Sequence, residues 1–302
     1  MTVATMPRSL PGEPTAMGVP ADAGAAALRA VLAGLRGAVV AFSGGVDSSV
    51  VAAYAHEMLG DRALACTIVS GLLPDEEIRE AQAIAAAIGI RHRLVPLDVL
   101  ALPTFVANPP DRCYHCKSLV LAALREIADA EGMEAILHGE NADDAAVYRP
   151  GARAAVEARA IAPLACAGLS KAEVRALARE LGLPNADRPS APCLATRIPY
   201  GEAVTRERMR RIGSAEAILR DAGFGVVRVR DHATIARIEV PLEDLPRLLE
   251  PEIRARVSAV VRAAGYVHVT IDLDGYRSGS FDLARTAVGM APTTVGAGGK
   301  DG

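Results

Sequence analysis

The stretch Ser43-Gly44-Gly45-Val46-Asp47-Ser48 joins an apolar run, residues 37–42, to a helical pattern. Glycine has no Cβ, so the backbone can approach a ligand closely here, and the N–H groups of a helix N-terminus favour an anion. Ser43 and Ser48 add hydroxyl donors, whereas Asp47 would repel a phosphate unless Mg²⁺ lies between them. The stretch predicts a site for a metal-bound nucleotide; an ordinary capped glycine turn is the alternative. A Walker A lysine is absent, which excludes a P-loop kinase or GTPase.

Apolar runs and helical patterns alternate outward from this loop. Strands are predicted at 37–42, 63–69, 91–97 and 135–138, with helices at 47–59, 74–88 and 118–130. Such alternation indicates an α/β fold, in which helices cover both faces of a parallel sheet. The later part predicts a small α+β unit, with helical segments at 205–221 and 242–264 and strands at 225–230, 235–240 and 266–272.

Length and composition set the outer limits. The 302 residues, 51% of them hydrophobic, allow one large or two modest domains and exclude global disorder. Expected are a flexible N-terminal extension, a first domain, a small α+β domain and a flexible tail, at 1–25, 26–200, 201–285 and 286–302. The extension lacks the apolar core of a signal peptide, and no apolar run is long enough to span a membrane. We therefore expect a cytoplasmic protein without a membrane partner.

The charge balance bears on the partner. The formal net charge is −3 and the sequence pI is about 6.1. This balance argues against a broad nucleic-acid-binding surface, although it permits a local basic pocket. As a substrate, a small-molecule nucleotide is therefore favoured over a nucleic acid.

The five cysteines are an odd, unevenly spaced set, which argues against a disulfide scaffold. Cys113 and Cys116 form a C-x-x-C, and Cys193 follows much later; both segments flank predicted elements, so the fold can bring them together. Three thiolates suit a [4Fe–4S] cluster with one iron left open. A zinc site completed by Cys166 and inert cysteines remain alternatives. Cys66, in an apolar strand, is expected in the core.

A second polar loop, residues 138–144 (His-Gly-Glu-Asn-Ala-Asp-Asp), follows the fourth strand. Together with residues 43–48 it resembles the PP-loop ATP pyrophosphatases, the Rossmann-like superfamily of GMP synthetase, NAD synthetase and the tRNA thiolases. Those proteins adenylylate a substrate oxygen and release pyrophosphate. The resemblance implies ATP and Mg²⁺ as cofactors, with Asp47 on the metal. It assigns nucleotide binding to Ser43, Gly44, Gly45, Asp47, Ser48, Thr67, Gly139, Asn141 and Asp144. A polar loop with helix caps is the alternative for 138–144.

Residues 192–201 (Pro-Cys-Leu-Ala-Thr-Arg-Ile-Pro-Tyr-Gly), taken with 43–48 and 112–117, resemble the LarE family. These are ATP-dependent sulfur transferases of nickel-pincer nucleotide cofactor synthesis. They adenylylate a carboxylate of pyridinium-3,5-biscarboxylic acid mononucleotide, and sulfur then displaces AMP to give a thiocarboxylate. One branch sacrifices a single cysteine, and another holds a [4Fe–4S] cluster, thought to carry the sulfide, on three. The resemblance places this chain in the cluster branch.

That branch implies several roles for this chain. The catalytic residues are Cys193, Cys113, Cys116 and Arg197, of which the three cysteines bind the cluster. A sulfide donor and a homo-oligomeric state are also expected. A [4Fe–4S]-dependent tRNA thiolase and a non-catalytic adenine-nucleotide or redox sensor are the competing functions. The acidic pI and the shortage of stacking aromatics argue against the thiolase.

Further basic residues complete the expected site. Arg228 and Arg230 alternate along a predicted strand, so both project from one face. Paired arginines suit a nucleotide monophosphate, and in the LarE family such a pair lies near bound phosphate. Glu216 and Glu239 are weaker candidates for the same pocket, and an exposed basic strand face is the alternative.

Basic residues near the cysteines and a helix start add two further expectations. Arg112, Lys117 and Arg197 are expected to lower thiol pKa values or to hold substrate phosphate, or are simply solvated charges. Ser170 and the glutamate three residues later predict a capping box, which alone would explain the intervening lysine.

Overall fold

The computed structural model describes residues 21–146, 150–189 and 192–277. Four strands form a parallel sheet in the order β3-β2-β1-β4: β1 (Ala38–Ala41), β2 (Ala63–Val69), β3 (Arg91–Pro96) and β4 (Ala135–Leu137). In the register of the sheet, Val39 lies opposite both Leu64 and Ile136. The strand order reverses after β1, and α/β proteins bind ligands at such a switch point. Residues 43–48 leave the sheet at this position.

Helices cover both faces of the sheet, which confirms the predicted fold class. They are α1 (Ala21–Leu32), α2 (Val46–Leu59), α3 (Asp75–Ile88), α4 (Pro103–Val106), α5 (Arg112–Ala130), α6 (Pro150–Glu157), α7 (Pro163–Cys166) and α8 (Lys171–Glu180). Leu28, Val50 and Leu177 belong to the apolar cluster on one face, which holds α1, α2, α7 and α8. Leu124 and Ala155 of α5 and α6 pack on the other face.

Two boundaries differ from the predictions. Helix α1 begins at Ala21, inside the stretch 1–25 that was expected to be flexible, because Leu28 and Leu32 are fully buried and hold the helix in the core. Helix α5 begins at Arg112 rather than at residue 118, since Cys116 packs against an apolar cluster and extends the buried side of the helix towards its start. The C-x-x-C therefore lies on the first turns of a helix and not in a loop.

The second unit has a three-stranded sheet in the order β5-β6-β7: β5 (Arg228–His232), β6 (Ile235–Glu239) and β7 (His268–Ile271). Strands β5 and β6 are antiparallel, and β7 runs parallel to β6. The strand expected at 225–230 begins instead at Arg228. The remaining helices are α9 (Arg206–Asp221), α10 (Leu245–Leu248) and α11 (Pro251–Ala263), so the helical stretch 242–264 is divided.

A shared apolar cluster connects the two units. Phe105 contributes from α4, Leu194 and Ile198 from the segment 192–201, and Met209 and Ile212 from α9. The predicted boundary at residue 201 thus passes through a continuous core. The predicted tail, 286–302, lies outside the described residues. Within the described ranges, no helix is long and apolar enough to cross a membrane.

Candidate active site

The loop after β1 is tightly built. Gly44 has a φ of +73°, and a Cβ there would lie 3.0 Å from Ala81 of α3, so both conformation and space require glycine. Ser43 Oγ accepts from the Gly45 N–H at 3.2 Å, and Ser48 Oγ donates to Gly45 O at 2.9 Å. Gly45 caps α2 without a side chain, so the start of that helix is left for an anion.

The loop 138–144 packs directly on the start of α2. A Cβ on Gly139 would lie 2.8 Å from Ser48 N, so this position requires glycine. Asn141 Nδ2 donates to Asp47 Oδ1 at 3.3 Å, and Asn141 N–H donates to Asp144 Oδ2 at 3.1 Å. The structure therefore brings the two predicted nucleotide loops together around Asp47.

Lys171 also contacts Asp47, although the sequence pattern around it was explained by helix capping alone. The capping box is present, with Ser170 and Glu173 bonded reciprocally. In addition, Lys171 Nζ forms an ion pair with Asp47 Oδ2, and its N–H donates to Asp143 Oδ2 at 2.8 Å. A cation thus lies beside the carboxylate that was predicted to hold Mg²⁺.

Two buried polar residues support the loop from behind. The hydroxyl of Thr67, a predicted nucleotide ligand, lies 2.9 Å from Phe42 O, to which it donates, and 2.8 Å from His92 Nε2. It thereby fixes the end of β1. Asn185 was not predicted; its Nδ2 donates to Gly44 O at 2.8 Å and to Ser49 Oγ at 2.9 Å. One sequence signal points to it, a Pro-Asn turn after α8.

The three predicted thiols converge at one end of α5. Cys113 and Cys116 are three residues apart on the first turns of the helix and so share a face. Cys193 precedes the 3₁₀ turn Leu194–Arg197 and packs, with Cys116, against the apolar cluster shared by the two units. Cys113 is exposed, whereas Cys116 and Cys193 are half-buried.

The thiols are close enough to affect one another's ionisation. Burial, followed by repulsion from Cys193 and Cys113, raises the pKa of Cys116 to about 12. Burial also raises the pKa of Cys193; a hydrogen bond from the Ala195 N–H and the charges of Arg112 and Arg197 oppose this shift. Arg112 and Arg197 thus act on Cys193 in the expected direction, but burial outweighs them and the net shift of its pKa is upward.

The other cysteines lie elsewhere. Cys66 is 1% exposed in β2, which confirms its core location, and burial raises its pKa to about 11. Cys166 ends α7, whose Leu164 packs on the face of the sheet opposite to α5. In the parts of the chain that the structure describes, no group of three or more His, Cys, Asp or Glu side chains is arranged to hold a metal ion.

Arg197 fixes the backbone around Cys193. Its Nε and Nη2 donate to both oxygens of Glu216 at 2.8 and 2.9 Å, and its Nη1 donates to Pro192 O at 2.8 Å and Cys193 O at 3.3 Å. The two charged side chains are only 3% and 1% exposed. Glu216 also accepts the Val229 N–H of β5 at 3.0 Å. This buried pair therefore ties the cysteine turn to α9 and β5.

Arg230 makes a second tie to the same turn. Its Nε and Nη2 donate to Glu239 Oε2 at 2.9 and 2.7 Å, while Nη1 donates to Thr196 O at 2.9 Å. Arg228 lies on the same side of the strand, with its Cζ 5.1 Å from the centroid of the Tyr276 ring. Burial, followed by the charge of Arg197, lowers the pKa of Arg228. Both arginines are at least nine-tenths buried, so the alternative of an exposed basic strand face is wrong.

Lys117 links the helix that bears Cys113 and Cys116 to the predicted nucleotide loops. It lies one turn after Cys113 on α5, and its Nζ is 3.5 Å from His138 Nδ1 and 3.7 Å from Glu140 Oε2. Burial, followed by the charge of Lys117, lowers the pKa of His138 to about 4, so the imidazole is neutral at pH 7. The helix that begins with the C-x-x-C thus contacts the loop that packs on Asp47.

Comparison with known proteins adds the family. The family described as asparagine synthase matches residues 25–198. The pyridinium-3,5-bisthiocarboxylic acid mononucleotide synthase of Lactiplantibacillus plantarum is 38% identical over 267 residues, which are 88% of this chain and 96% of that protein. The chain belongs to the LarE family. This membership confirms an ATP-dependent, sulfur-transferring enzyme of the PP-loop superfamily and argues against the non-catalytic sensor.

Other relatives match either most of the chain or about two thirds of it. An uncharacterized protein of Synechocystis sp. is 43% identical over 259 residues, covering 86% of this chain and 97% of its own. One of the subunits of the glutamine-hydrolysing GMP synthase of Methanocaldococcus jannaschii is 30% identical over 201 residues, covering 62% of this chain and 64% of its own. The similarity to GMP synthase is thus confined to about two thirds of the LarE-family chain.

Proposed function

We propose that the chain adenylylates a carboxylate of pyridinium-3,5-biscarboxylic acid mononucleotide at residues 43–48 and exchanges AMP for sulfur at the three thiols. The observation that carries this proposal is their common position: Lys117, on the helix that bears Cys113 and Cys116, contacts the loop packed against Asp47. The L. plantarum relative is named for the corresponding bisthiocarboxylic product, which supports this substrate.

ATP and Mg²⁺ would bind at the start of α2. Asp47 offers a carboxylate to Mg²⁺, and the helix N-terminus with Ser43 and Ser48 offers donors to the pyrophosphate. Lys171 at present neutralises Asp47. With Mg²⁺ on that carboxylate, the Lys171 ammonium group would be available to pair with a phosphate, and every charge would remain compensated.

Adenylylation solves a problem of reactivity. A carboxylate is a poor electrophile, so one of its oxygens attacks the α-phosphorus of ATP and pyrophosphate leaves. The resulting acyl-adenylate has AMP as a good leaving group. Sulfur then bonds to the carbonyl carbon, and AMP departs with the electron pair of the broken C–O bond. The contribution of the chain is to hold the two partners at one edge of the sheet.

Cys113, Cys116 and Cys193 would hold the [4Fe–4S] cluster. Their chemistry fits it: three cysteine sulfurs, of which two are half-buried and one is exposed, are soft ligands of the kind that iron–sulfur clusters use. When bound, such a cluster supplies an open iron at which sulfide can be carried. Arg197 and Arg230 would keep Cys193 in place through the hydrogen bonds described above.

The substrate's phosphate is assigned to the buried basic cluster beside Cys193. Arg197, Arg228 and Arg230 carry three positive charges there, against the two carboxylates of Glu216 and Glu239. The local excess of positive charge favours an anion. Arg228 is the best candidate to contact it, because it lies on the same side of β5 as Arg230 and close enough to Arg197 for that charge to lower its pKa.

The decisive experiment is a turnover assay on anaerobically purified protein. ATP, Mg²⁺, sulfide and pyridinium-3,5-biscarboxylic acid mononucleotide should yield AMP, pyrophosphate and a thiocarboxylate detectable by mass spectrometry. A parallel reaction receives bulk tRNA instead. Pyrophosphate release that does not depend on the mononucleotide, or sulfur that enters tRNA, would overturn the proposal.

Cysteine variants separate the two half-reactions. Cys193→Ser should retain substrate-dependent ATP–pyrophosphate exchange but form no thiocarboxylate. Cys166→Ser is the matched control and should behave as the parent, because this exposed thiol lies on the other face of the sheet. Peptide mass spectrometry of Cys193 after turnover tests the cluster assignment: an intact residue supports it, and loss of the elements of H₂S contradicts it.

A further inference from the structure

Asn108 occupies an unusual position immediately before the C-x-x-C helix. Its φ is +54°, in the left-handed region that asparagine tolerates better than most residues. It is also fully buried, with none of its surface exposed. A buried polar residue in this conformation must be held by specific hydrogen bonds.

Those bonds join the two segments that bear the thiols. Asn108 Nδ2 donates to Pro199 O at 2.7 Å and to Ile198 O at 3.3 Å, and Asn108 O accepts the Gly201 N–H at 2.9 Å. All three partners lie in the segment that follows the Cys193 turn. The amide side chain thus holds that segment next to the start of α5.

The other end of the amide holds α5 itself. Asn108 Oδ1 accepts from Arg112 Nη1 at 2.8 Å, and Arg112 is the first residue of α5 and immediately precedes Cys113. The Arg112 guanidinium in turn lies over the Tyr200 ring, 4.7 Å from its centroid. Arg112 is therefore not a solvated charge: it is 5% exposed and closes a bridge between the two thiol-bearing segments.

We propose that Asn108 is a positioning residue that fixes Cys193 relative to the Cys113–Cys116 pair. Arg197 ties the cysteine turn to the second unit, and Asn108 supplies the corresponding tie to α5. The importance of Asn108 for sulfur transfer rests on the proposed function. Its effect on the relative position of the three cysteines does not.

The geometry is tested by the rate at which diamide, an oxidant that takes two hydrogens from a pair of thiols, links Cys193 to Cys113 or Cys116. Peptide mass spectrometry quantifies the disulfide, with Cys166→Ser as the background. Asn108→Gly keeps the left-handed backbone accessible and removes the amide. We expect it to slow the cross-link at least about tenfold, since displacements near 1 Å strongly reduce reaction between positioned groups.

Two further variants complete the test. Asn108→Asp keeps the acceptor for Arg112 and loses both donors to the cysteine segment. Its cross-linking rate should therefore fall between those of the parent protein and Asn108→Gly. This variant also tests the proposal if Asn108→Gly does not fold. Arg159→Gly is the matched control, an exposed left-handed residue on the α6 side, and should cross-link at the parental rate. A parental rate in a folded Asn108 variant overturns the proposal.

Failure of the proposed function would look different. The cross-linking assay contains no ATP, iron or mononucleotide, so it reports on position even if the enzyme uses another substrate. If the proposed function also holds, Asn108→Gly should lower kcat for thiocarboxylate formation and leave ATP–pyrophosphate exchange and its KM for ATP unchanged. A general structural defect would reduce both reactions together.

Discussion

Gly139→Ala is the sharpest test of the proposed nucleotide site. The added methyl group would lie 2.8 Å from Ser48 N, 3.0 Å from Asp47 C and 3.1 Å from Asp47 Cβ. Two of these atoms are backbone atoms in the first turn of α2 and cannot rotate away. The loop 138–144 must therefore move from the helix by a few tenths of an ångström or more.

The size of the effect follows from this clash. Overpacking of a buried contact costs about 1–3 kcal/mol, which should lower the melting temperature by a few degrees. Movement of the loop also stretches the bond from Asn141 Nδ2 to Asp47 Oδ1, already 3.3 Å long. Since misplacement by about 1 Å can cost about a hundredfold in rate, we expect kcat/KM for ATP to fall by about ten- to a hundredfold.

The assay is substrate-dependent ATP–pyrophosphate exchange, with thermal unfolding measured on the same sample. Gly34→Ala is the matched control, because a Cβ at that position meets nothing within 4 Å. Parental exchange in the folded Gly139 variant would refute the assignment of this loop to the nucleotide site. Equal damage in both variants would refute the packing argument.

Three further perturbations have defined outcomes. Glu216→Gln should lower the free energy of unfolding in urea by about 3–5 kcal/mol, because it leaves the Arg197 charge buried without its carboxylate; a loss below about 1 kcal/mol contradicts the buried pair. Lys171→Met should raise the KM for ATP at least about tenfold by removing the cation released from Asp47, with Lys171→Arg intermediate; an unchanged KM removes Lys171 from phosphate binding. His138 has a folded pKa of about 4, below its usual value, so the unfolded chain binds its proton first as the pH falls. Stability should therefore decline by at most about 3 kcal/mol between pH 6.5 and 4, and His138→Asn should flatten that part of the curve of urea midpoint against pH; an unchanged curve would show that another group is responsible.

The two loops proposed to bind the nucleotide stand out in the sequence because their signals are local. Glycines and hydroxyl residues between an apolar strand and a helix mark residues 43–48 as a candidate anion site, and the family resemblance adds the nucleotide. The same holds for the polar stretch 138–144 after β4. Parallel strands end at a common edge, so the meeting of these loops follows from the fold class.

The arginine–glutamate pairs were not predictable in the same way. The alternation of Arg228 and Arg230 correctly places both on one face, but it does not say whether that face is buried. Arginine is usually exposed, and the partner carboxylates, Glu216 and Glu239, lie on other elements. Only the packing of α9 and β6 against β5 reveals that these groups hold the Cys193 turn.

Lys171 and Asn185 show a further limit. The capping box around Lys171 is present, and it fully explains the local sequence pattern as a helix start. The pattern therefore gives no reason to expect the additional ion pair with Asp47. Asn185 supports Gly44 from a distant part of the chain; its Pro-Asn signal marks the turn but not this tertiary contact. Sequence patterns thus predict local structure better than they predict the long-range contacts of single polar residues.

The ties from the second unit to the cysteine turn have a consequence for synthesis on the ribosome. Cys113 and Cys116 leave the ribosome about 120 residues before Glu239, which anchors Arg230 and hence Thr196. At about 5–20 residues per second this interval lasts roughly 6–24 s. During this interval the N-terminal part of the chain, which contains Cys113 and Cys116, can fold. The segment that holds the Cys193 turn in place has not yet been made. The Cys193 turn of the nascent chain therefore lacks the tie through Arg230 until residue 239 has been made.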